Sequence, residues 1–170
     1  MFKSDRVLDQ LRAAVVHDSF WAEQLEPARV SRYSLHLAIL REPYLQFILE
    51  GKKTIESRFA KRACAPYQRI SDGDVVILKR AGGKISGVCL IERVWFYRID
   101  HDSLDFIRSK FGPRICPVNG QFWVDRKQAA VATLMLVTRV MPIGSFPIPK
   151  RDRRGWVVLQ KPNCVAHHES

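Results

Sequence analysis

A short segment in the first half of the chain concentrates side chains that could do chemistry. Residues 51–58 read Gly-Lys-Lys-Thr-Ile-Glu-Ser-Arg, and the stretch from Thr54 onward has the alternation of a strand. Side chains alternate between the two faces of a strand, so Thr54, Glu56 and Arg58 share one face, with Lys53 just before them. This face would bring together an ammonium, a hydroxyl, a carboxylate and a guanidinium.

Three interpretations of this face are open. The guanidinium of Arg58 can present a planar pair of donors to phosphate or to a base edge, and Glu56 can orient it or accept from a base amino group. Alternatively, Lys53 and Glu56 could be the reactive pair of a hydrolase. The structural interpretation is an exposed Glu56–Arg58 ion pair of the common, weak kind.

The charge of the chain favours an anionic partner. Its 170 residues include 28 Lys and Arg against 17 Asp and Glu, a formal net charge of +11 with a pI near 9.9. Such an excess favours nucleic acid, without distinguishing RNA from DNA or binding from catalysis. The residues predicted to bind nucleic acid are Lys52, Lys53, Thr54, Glu56, Arg58, Lys61, Arg62, Arg69, Lys79, Arg80, Lys150, Arg151, Arg153 and Arg154.

The elements that must position these side chains are mostly strands. Apolar, β-branched or alternating stretches predict a strand in each case. They cover residues 34–40, 54–59, 75–80, 85–97, 130–140 and 156–159. A helix separates the first two strands, with Pro43 in its first turn and Gly51 as its left-handed cap. The pattern predicts an α+β fold, a mixed β-barrel of five to six strands with peripheral helices.

Three units are predicted along the chain: an N-terminal helical extension over 1–32, a barrel domain over 33–160 and a flexible tail over 161–170. Within the extension, a helix is expected to start at Asp18 and to stop at Pro27.

Two further features of the barrel domain are predicted. A helix is expected to begin at Asp102 or Ser103 and to end at Gly112-Pro113. For the aromatic side chains of Trp156, Phe122 and Trp123, packing in the core is favoured over stacking on a base. His36 is expected to be a packed or surface residue.

The sequence does not favour a membrane protein, a metal-binding protein or a cofactor-dependent protein. No apolar run approaches the roughly 18 residues of a membrane span, and the charged start is unlike a signal peptide. The protein is therefore expected to be cytoplasmic and monomeric, with no membrane partner. Cys64, Cys89, Cys116 and Cys164 form no CxxC pair, so neither metal nor cofactor is predicted.

The spacing of Gly51, Lys53, Glu56 and Arg58 matches Gly-x-Lys-x-x-Glu-x-Arg, the signature of the ASCH family (activating signal cointegrator homology). The resemblance covers roughly residues 34–159 and includes the predicted strand and helix before the signature. It implies a fold similar to PUA RNA-binding domains, a β-barrel whose cleft holds the signature residues, and an RNA-related function.

The resemblance also implies two enzymatic alternatives. Some short members are amidohydrolases that act on N4-acetylcytidine with the signature lysine, a threonine at the signature glutamate and a downstream glutamate. Here Glu56 occupies the threonine position, and the downstream helix offers Asp102 and Asp105. A carboxylate next to Lys53 is expected to raise its pKa, whereas a lysine nucleophile or base needs a lowered pKa. Ribonuclease activity, attributed to other members, rests on analogy.

The favoured hypothesis is an RNA-binding module whose cleft around Lys53, Glu56 and Arg58 holds a nucleotide or base, with DNA as the alternative partner. The second hypothesis is a small metal-independent hydrolase, either a ribonuclease or an amidohydrolase on a modified cytidine, that uses Lys53 and Glu56 as its catalytic pair. The third is a protein-interaction domain that docks through the N-terminal helices.

Overall fold

Six strands form one curled sheet in a computed structural model of the chain, which describes residues 3–148 and 154–163. The strands are β1 (Leu35–Leu40), β2 (Ile55–Ala60), β3 (Val75–Arg80), β4 (Ile85–Arg98), β5 (Val131–Pro142) and β6 (Trp156–Gln160). Their order is β2-β5-β4-β3-β1-β6. The β1–β3 pair is parallel and the other neighbouring pairs are antiparallel. The sheet is a half-barrel with β2 and β6 as its edge strands, which confirms the predicted mixed α+β fold.

Helices precede the first strand and connect several of the others. They are α1 (Lys3–Val15), α2 (Ser19–Gln24), α3 (Pro27–Val30), α4 (Tyr44–Leu49), α5 (His101–Ile115) and α6 (Gln121–Arg126). Asp18 caps α2 as predicted, its carboxylate accepting from the Trp21 amide. Gly51 follows α4 with φ of +76°, the left-handed geometry that glycine adopts at little cost. This confirms the turn that directs the chain into β2.

Helix α2 ends before Pro27 as predicted, whereas the predicted bounds of α5 are wrong. Pro27 does not simply stop α2 but starts α3 at its first position, where the missing N–H costs nothing. Helix α5 begins after Asp100, which forms a capping box with Ser103, and it continues through Pro113 to Ile115. Burial of the last turn explains this length: Ile115 is fully buried against β2 and β5, and its burial helps to offset the cost of a helical proline.

Helices α1–α3 cover one face of the sheet. Leu11, Val15 and Leu25 are fully buried, and they belong to the same hydrophobic cluster as Leu35 of β1 and Ile77 of β3. The N-terminal helices therefore share a core with the sheet. The domain boundary at residues 32 and 33 stays a prediction, and the structure makes it testable.

A buried chain of hydrogen bonds ties β1 to the first residue of β6 and to the residue before β3. His36 is fully buried, with Nε2 3.0 Å from the Asp74 carboxylate. Its Nδ1 accepts from the Trp156 indole N–H at 3.1 Å, so the hydrogen is on Nε2, which donates to Asp74. Trp156 is 4 % exposed, which confirms that this ring is a core anchor.

None of the described helices has the length and apolarity needed to cross a membrane. Within the same described residues, no group of His, Cys, Asp and Glu side chains is arranged to hold a metal ion. Cys164 lies outside the described residues.

Candidate functional site

A cleft of about 730 Å³ opens along the seam of the half-barrel, between β2 at one edge and β1 with the segment before β6 at the other. Helix α6 and the segment before it form a further wall. The charged side chains that line the cleft include Arg41, Lys53, Glu56, Arg58, Arg126 and Arg154. The cleft thus contains the three charged residues of the signature, as the sequence predicts.

Lys53 lies at the floor of the cleft and is 2 % exposed. The turn at Gly51 directs its side chain inward, where Nζ donates to the carbonyl oxygens of Ile55 at 2.7 Å and Ile115 at 2.8 Å. Nζ is also 3.5 Å from the Glu56 carboxylate. All three ammonium hydrogens therefore have a protein acceptor or counter-charge nearby, and the side chain has a structural role of its own.

The pKa of Lys53 is below its ordinary value because burial disfavours the ammonium. Glu56 acts in the opposite direction and offsets part of this effect. The expectation that Glu56 raises the pKa of Lys53 is therefore confirmed, but desolvation outweighs the ion pair and the pKa is lowered overall.

Lys53→Met is expected to change how stability depends on pH. Because the pKa of native Lys53 is lowered from 10.5, the unfolded chain binds more protons between the lowered pKa and that ordinary value, and stability rises with pH across this window. The measurement is the free energy of urea unfolding of the wild type minus that of the variant, from neutral pH into this alkaline window. A difference that stays flat or falls as the pH rises would contradict the destabilised ammonium.

Arg58 spans the seam of the half-barrel. Its Nε donates to Glu56 on the same strand at 2.7 Å. Its Nη2 donates to the carbonyl of Ile39 on β1 at 3.0 Å, and its Nη1 donates to that of Gly155 at 3.3 Å. The guanidinium also lies 5.2 Å from the ring centroid of Trp156. Arg58 thus fastens the β2 edge to the β1–β6 edge.

The Glu56–Arg58 pair differs from a weak surface pair. The side chains are 9 % and 22 % exposed, and Glu56 also faces Lys53. Thr54, predicted on the same face, is turned toward α5 instead, where its Oγ1 accepts from Arg114 Nε at 3.0 Å. The structure therefore brings Lys53, Glu56 and Arg58 together and places Thr54 outside the cleft lining.

Four predicted cations lie in the segments that flank β2. Lys52 is exposed and its ammonium lies 4.1 Å from the ring centroid of Phe47. Lys61, Arg62 and Arg69 are exposed on the loop between β2 and β3. These residues lie outside the cleft lining, and Arg69 lines a separate groove.

The remaining predicted cations are divided between the β3 end and the segment before β6. Lys79 is 8 % exposed, with Nζ donating to the Arg80 carbonyl at 3.3 Å, and Arg80 forms an ion pair with Glu42. Arg154 is exposed at the rim of the cleft. Lys150, Arg151 and Arg153 lie outside the described residues.

Arg126 of α6 is a cleft residue that the sequence analysis missed. Its guanidinium lies 3.5 Å from the ring centroid of Phe122, and Nη1 donates to the Phe122 carbonyl at 2.9 Å. Its Nε is buried and has no hydrogen-bond partner among the described residues. Burial lowers the pKa of this guanidinium below its ordinary value. The short run of polar and aromatic residues after Asn119-Gly120 could have indicated this helix, but no helix was predicted there.

Phe122 and Trp123 of the same helix are 7 % and 6 % exposed. Both belong to a hydrophobic cluster with α5, β2 and β5, which confirms the preference for core packing. Phe122 also lines the cleft. Its ring therefore packs in the core and contacts the Arg126 guanidinium as well.

Comparisons with known proteins agree with this fold. Residues 39–110, which contain the signature, match the model of the ASCH domain. The ASCH protein of Zymomonas mobilis has a TM-score of 0.56 and 18% identity, covering 75% of this chain and 88% of that chain. A Tyr-to-Phe variant of that protein gives 0.58 and 17%, with coverages of 75% and 91%. No curated protein matches the chain. The structural likeness shows a shared fold, and residues 39–110 are similar to the ASCH domain.

Proposed function

We propose that the cleft binds single-stranded RNA by holding one nucleotide at the open seam of the half-barrel. The observation that carries this proposal is the position of three arginines, Arg41, Arg126 and Arg154, around a cleft of about 730 Å³. Clefts of roughly 300–1,000 Å³ accept ligands of small-molecule size, which includes a nucleotide. The excess of basic residues over the whole chain favours the polyanion to which such a nucleotide belongs.

The rim arginines are suited to phosphate. Arg41 and Arg154 are exposed, so their guanidinium groups are accessible to a ligand at the mouth of the cleft. Neutralising phosphates in this way supplies affinity that does not depend on sequence.

The inner wall is suited to a base. Arg126 lines this wall and is partly exposed, and its planar guanidinium can donate to the edge of a base. Asn119, Gln121 and Asp125 line the same wall, and amide and carboxylate groups read the edges of unpaired bases. Tyr44 and Phe122 provide aromatic contact beside them.

The signature residues have a supporting role in this proposal. Three donors of Arg58 and the ammonium of Lys53 bond to protein groups, so these side chains shape the floor and hold the seam. Glu56 lines the cleft as well and can accept from a base amino group. The direct contacts with the nucleotide, predicted from the sequence for Arg58, are therefore assigned to Arg41, Arg126 and Arg154.

A hydrolase is the second candidate, and the lowered pKa of Lys53 favours it. A lysine nucleophile or base needs such a lowering. Its Nζ, however, donates to two backbone carbonyls, and a substrate would have to displace these bonds. Recovering the RNA on a gel after each titration tests this candidate. Cleavage of the RNA by the wild type but not by Lys53→Met would make the cleft a nuclease site.

Arg41→Ala and Arg126→Gln are expected to weaken RNA binding, each by about 1–3 kcal/mol, because each removes a polar interaction with the ligand. The measurement is the anisotropy of a fluorescent single-stranded RNA titrated at two salt concentrations. Arg108→Ala is the matched control, since this arginine is exposed on α5 and lies outside the cleft lining.

The control variant is expected to bind nearly as the wild type does. Affinities that fall equally in all three variants would show a general charge effect and would remove the cleft from the proposal. Thermal unfolding of each variant separates a weakened interaction with RNA from a failure to fold.

A further inference from the structure

A second groove, of about 400 Å³, lies between the loop that joins β2 to β3 and the strand β6. Its lining includes Cys64, Tyr67 and Arg69 from the loop, with Val158 and Lys161 from the β6 side. None of these residues lines the cleft, so the groove is a separate feature of the surface.

The groove is a site of unbalanced positive charge. Arg69 and Lys161 line it, while Lys61 and Arg62 are exposed on the same loop. Within the described residues, none of these four side chains forms an ion pair or a hydrogen bond with a protein group. No carboxylate residue belongs to the described lining of the groove. Two cations in the groove and two more on the adjoining loop, without acidic partners, favour a ligand with several negative charges.

An aromatic ring stands in this charged groove. Tyr67 is partly exposed, and its ring packs against Phe96 with the centroids 5.5 Å apart and the planes at 78°. Packing on Phe96 holds the tyrosine in place beside the cations. An aromatic side chain among lysines and arginines is the combination that single-stranded nucleic-acid sites use, because bases stack on the ring while cations neutralise the backbone.

The cleft and the groove each include a residue from the stretch of chain around β6. Gly155 lines the cleft and Val158 lines the groove. These positions are three residues apart along the chain, which is about 10 Å at roughly 3.3 Å per residue. At about 3.4 Å per stacked nucleotide, this distance corresponds to about three steps between nucleotides, so RNA longer than a trinucleotide is needed to reach the groove from the cleft.

We propose that this groove is a second subsite for the same single-stranded RNA. Arg69 and Lys161 neutralise phosphates of nucleotides next to the one in the cleft, and Tyr67 stacks on one of their bases. The inference rests on the proposed function of the cleft and extends it from one nucleotide to a short segment of RNA. It makes affinity depend on RNA length.

The test compares a trinucleotide with a dodecanucleotide of single-stranded RNA, both fluorescent. The proteins are the wild type, the double variant Arg69→Ala with Lys161→Ala, and the control double variant Arg6→Ala with Arg108→Ala, whose residues are exposed elsewhere. The groove variant is expected to bind the dodecanucleotide about tenfold or more weakly and to keep its affinity for the trinucleotide. Its salt slope for the longer RNA should fall by about 0.7 for each phosphate that the groove no longer neutralises. The control should change little with either RNA.

A second readout uses the wild type without substitution. Cys64 is exposed and lines the groove, so the dodecanucleotide should slow its alkylation by iodoacetamide, followed by peptide mass spectrometry, and the trinucleotide should not. This readout does not depend on whether the variant folds.

The outcomes separate the two proposals. Three outcomes would each overturn the second subsite: equal losses of affinity in the groove and control variants, a groove variant that also fails to bind the trinucleotide, or Cys64 that the dodecanucleotide does not protect. In each case, binding of the trinucleotide by the wild type would leave the proposed function of the cleft in place. A wild type that binds neither RNA would overturn the proposed function and this inference with it.

Discussion

A chain that lacks residues 1–30 is expected not to fold cooperatively. Helices α1–α3 cover Leu35, Leu37, Val75 and Ile77, all in the same hydrophobic cluster and at most 2 % exposed. Returning such side chains to water costs about 1.5–3 kcal/mol each. The total is comparable with the roughly 5–15 kcal/mol that stabilises a whole domain.

The measurement is urea unfolding of the truncated chain, followed by circular dichroism, with sedimentation to detect aggregation. Leu11→Ala in the full chain tests the same packing more gently: it should cost about 2–5 kcal/mol of unfolding free energy and should speed hydrogen exchange in β3. Arg6→Ala, exposed on the same helix, should cost little. A soluble, cooperatively folded truncation would establish the boundary at residue 32 and would show that the helices are dispensable.

Arg58→Ala is expected to lower the free energy of unfolding by about 3 kcal/mol. The substitution removes hydrogen bonds to Glu56, Ile39 and Gly155 and the stacking on Trp156. Glu56 would keep Lys53 as its remaining partner at 3.5 Å. Breaking a buried charge pair costs roughly 3–5 kcal/mol, and the partial exposure of Arg58 places the expected loss of stability at the low end of that range.

Urea unfolding of Arg58→Ala beside Arg62→Ala measures this effect. Arg62 is an exposed arginine on the loop that follows β2, and removing it should change stability by less than about 0.5 kcal/mol. Arg58→Lys should be intermediate, because an ammonium keeps the charge without the planar fork. A decrease below about 1 kcal/mol for Arg58→Ala would contradict the view that Arg58 holds the seam.

This expectation affects how RNA binding is measured. If Arg58→Ala opens the seam, weaker RNA binding by that variant reports the shape of the cleft as well as any direct interaction of Arg58 with the ligand. Arg41 and Arg126 are better probes, since neither bridges the two edges of the sheet in the described hydrogen bonds.

The turn at Gly51 and the strand after it could be predicted from sequence because their causes are local. A glycine after an apolar helix favours the left-handed conformation, and the alternation from residue 54 onward fixes which side chains share a face. The six strands lie within a few residues of their predicted bounds for the same reason. The signature residues Lys53, Glu56 and Arg58 could thus be placed together before any fold was known.

Contacts across the sheet could not be predicted in this way. Arg58 bonds to carbonyls of Ile39 and Gly155, which are 19 and 97 residues away in the chain. The extension of α5 past Pro113 and the position of Arg126 on α6 also depend on burial against distant strands.

The sequence by itself therefore determined the strands, the turn into β2 and the cluster of Lys53, Glu56 and Arg58. The tertiary structure decided what those side chains do. Curling of the sheet brings the β2 edge opposite β1 and β6, so Arg58 meets backbone carbonyls there and Lys53 is shielded from water. Periodicity along a chain reports which face a side chain occupies, whereas its partners and its solvation depend on which distant strand lies across from that face.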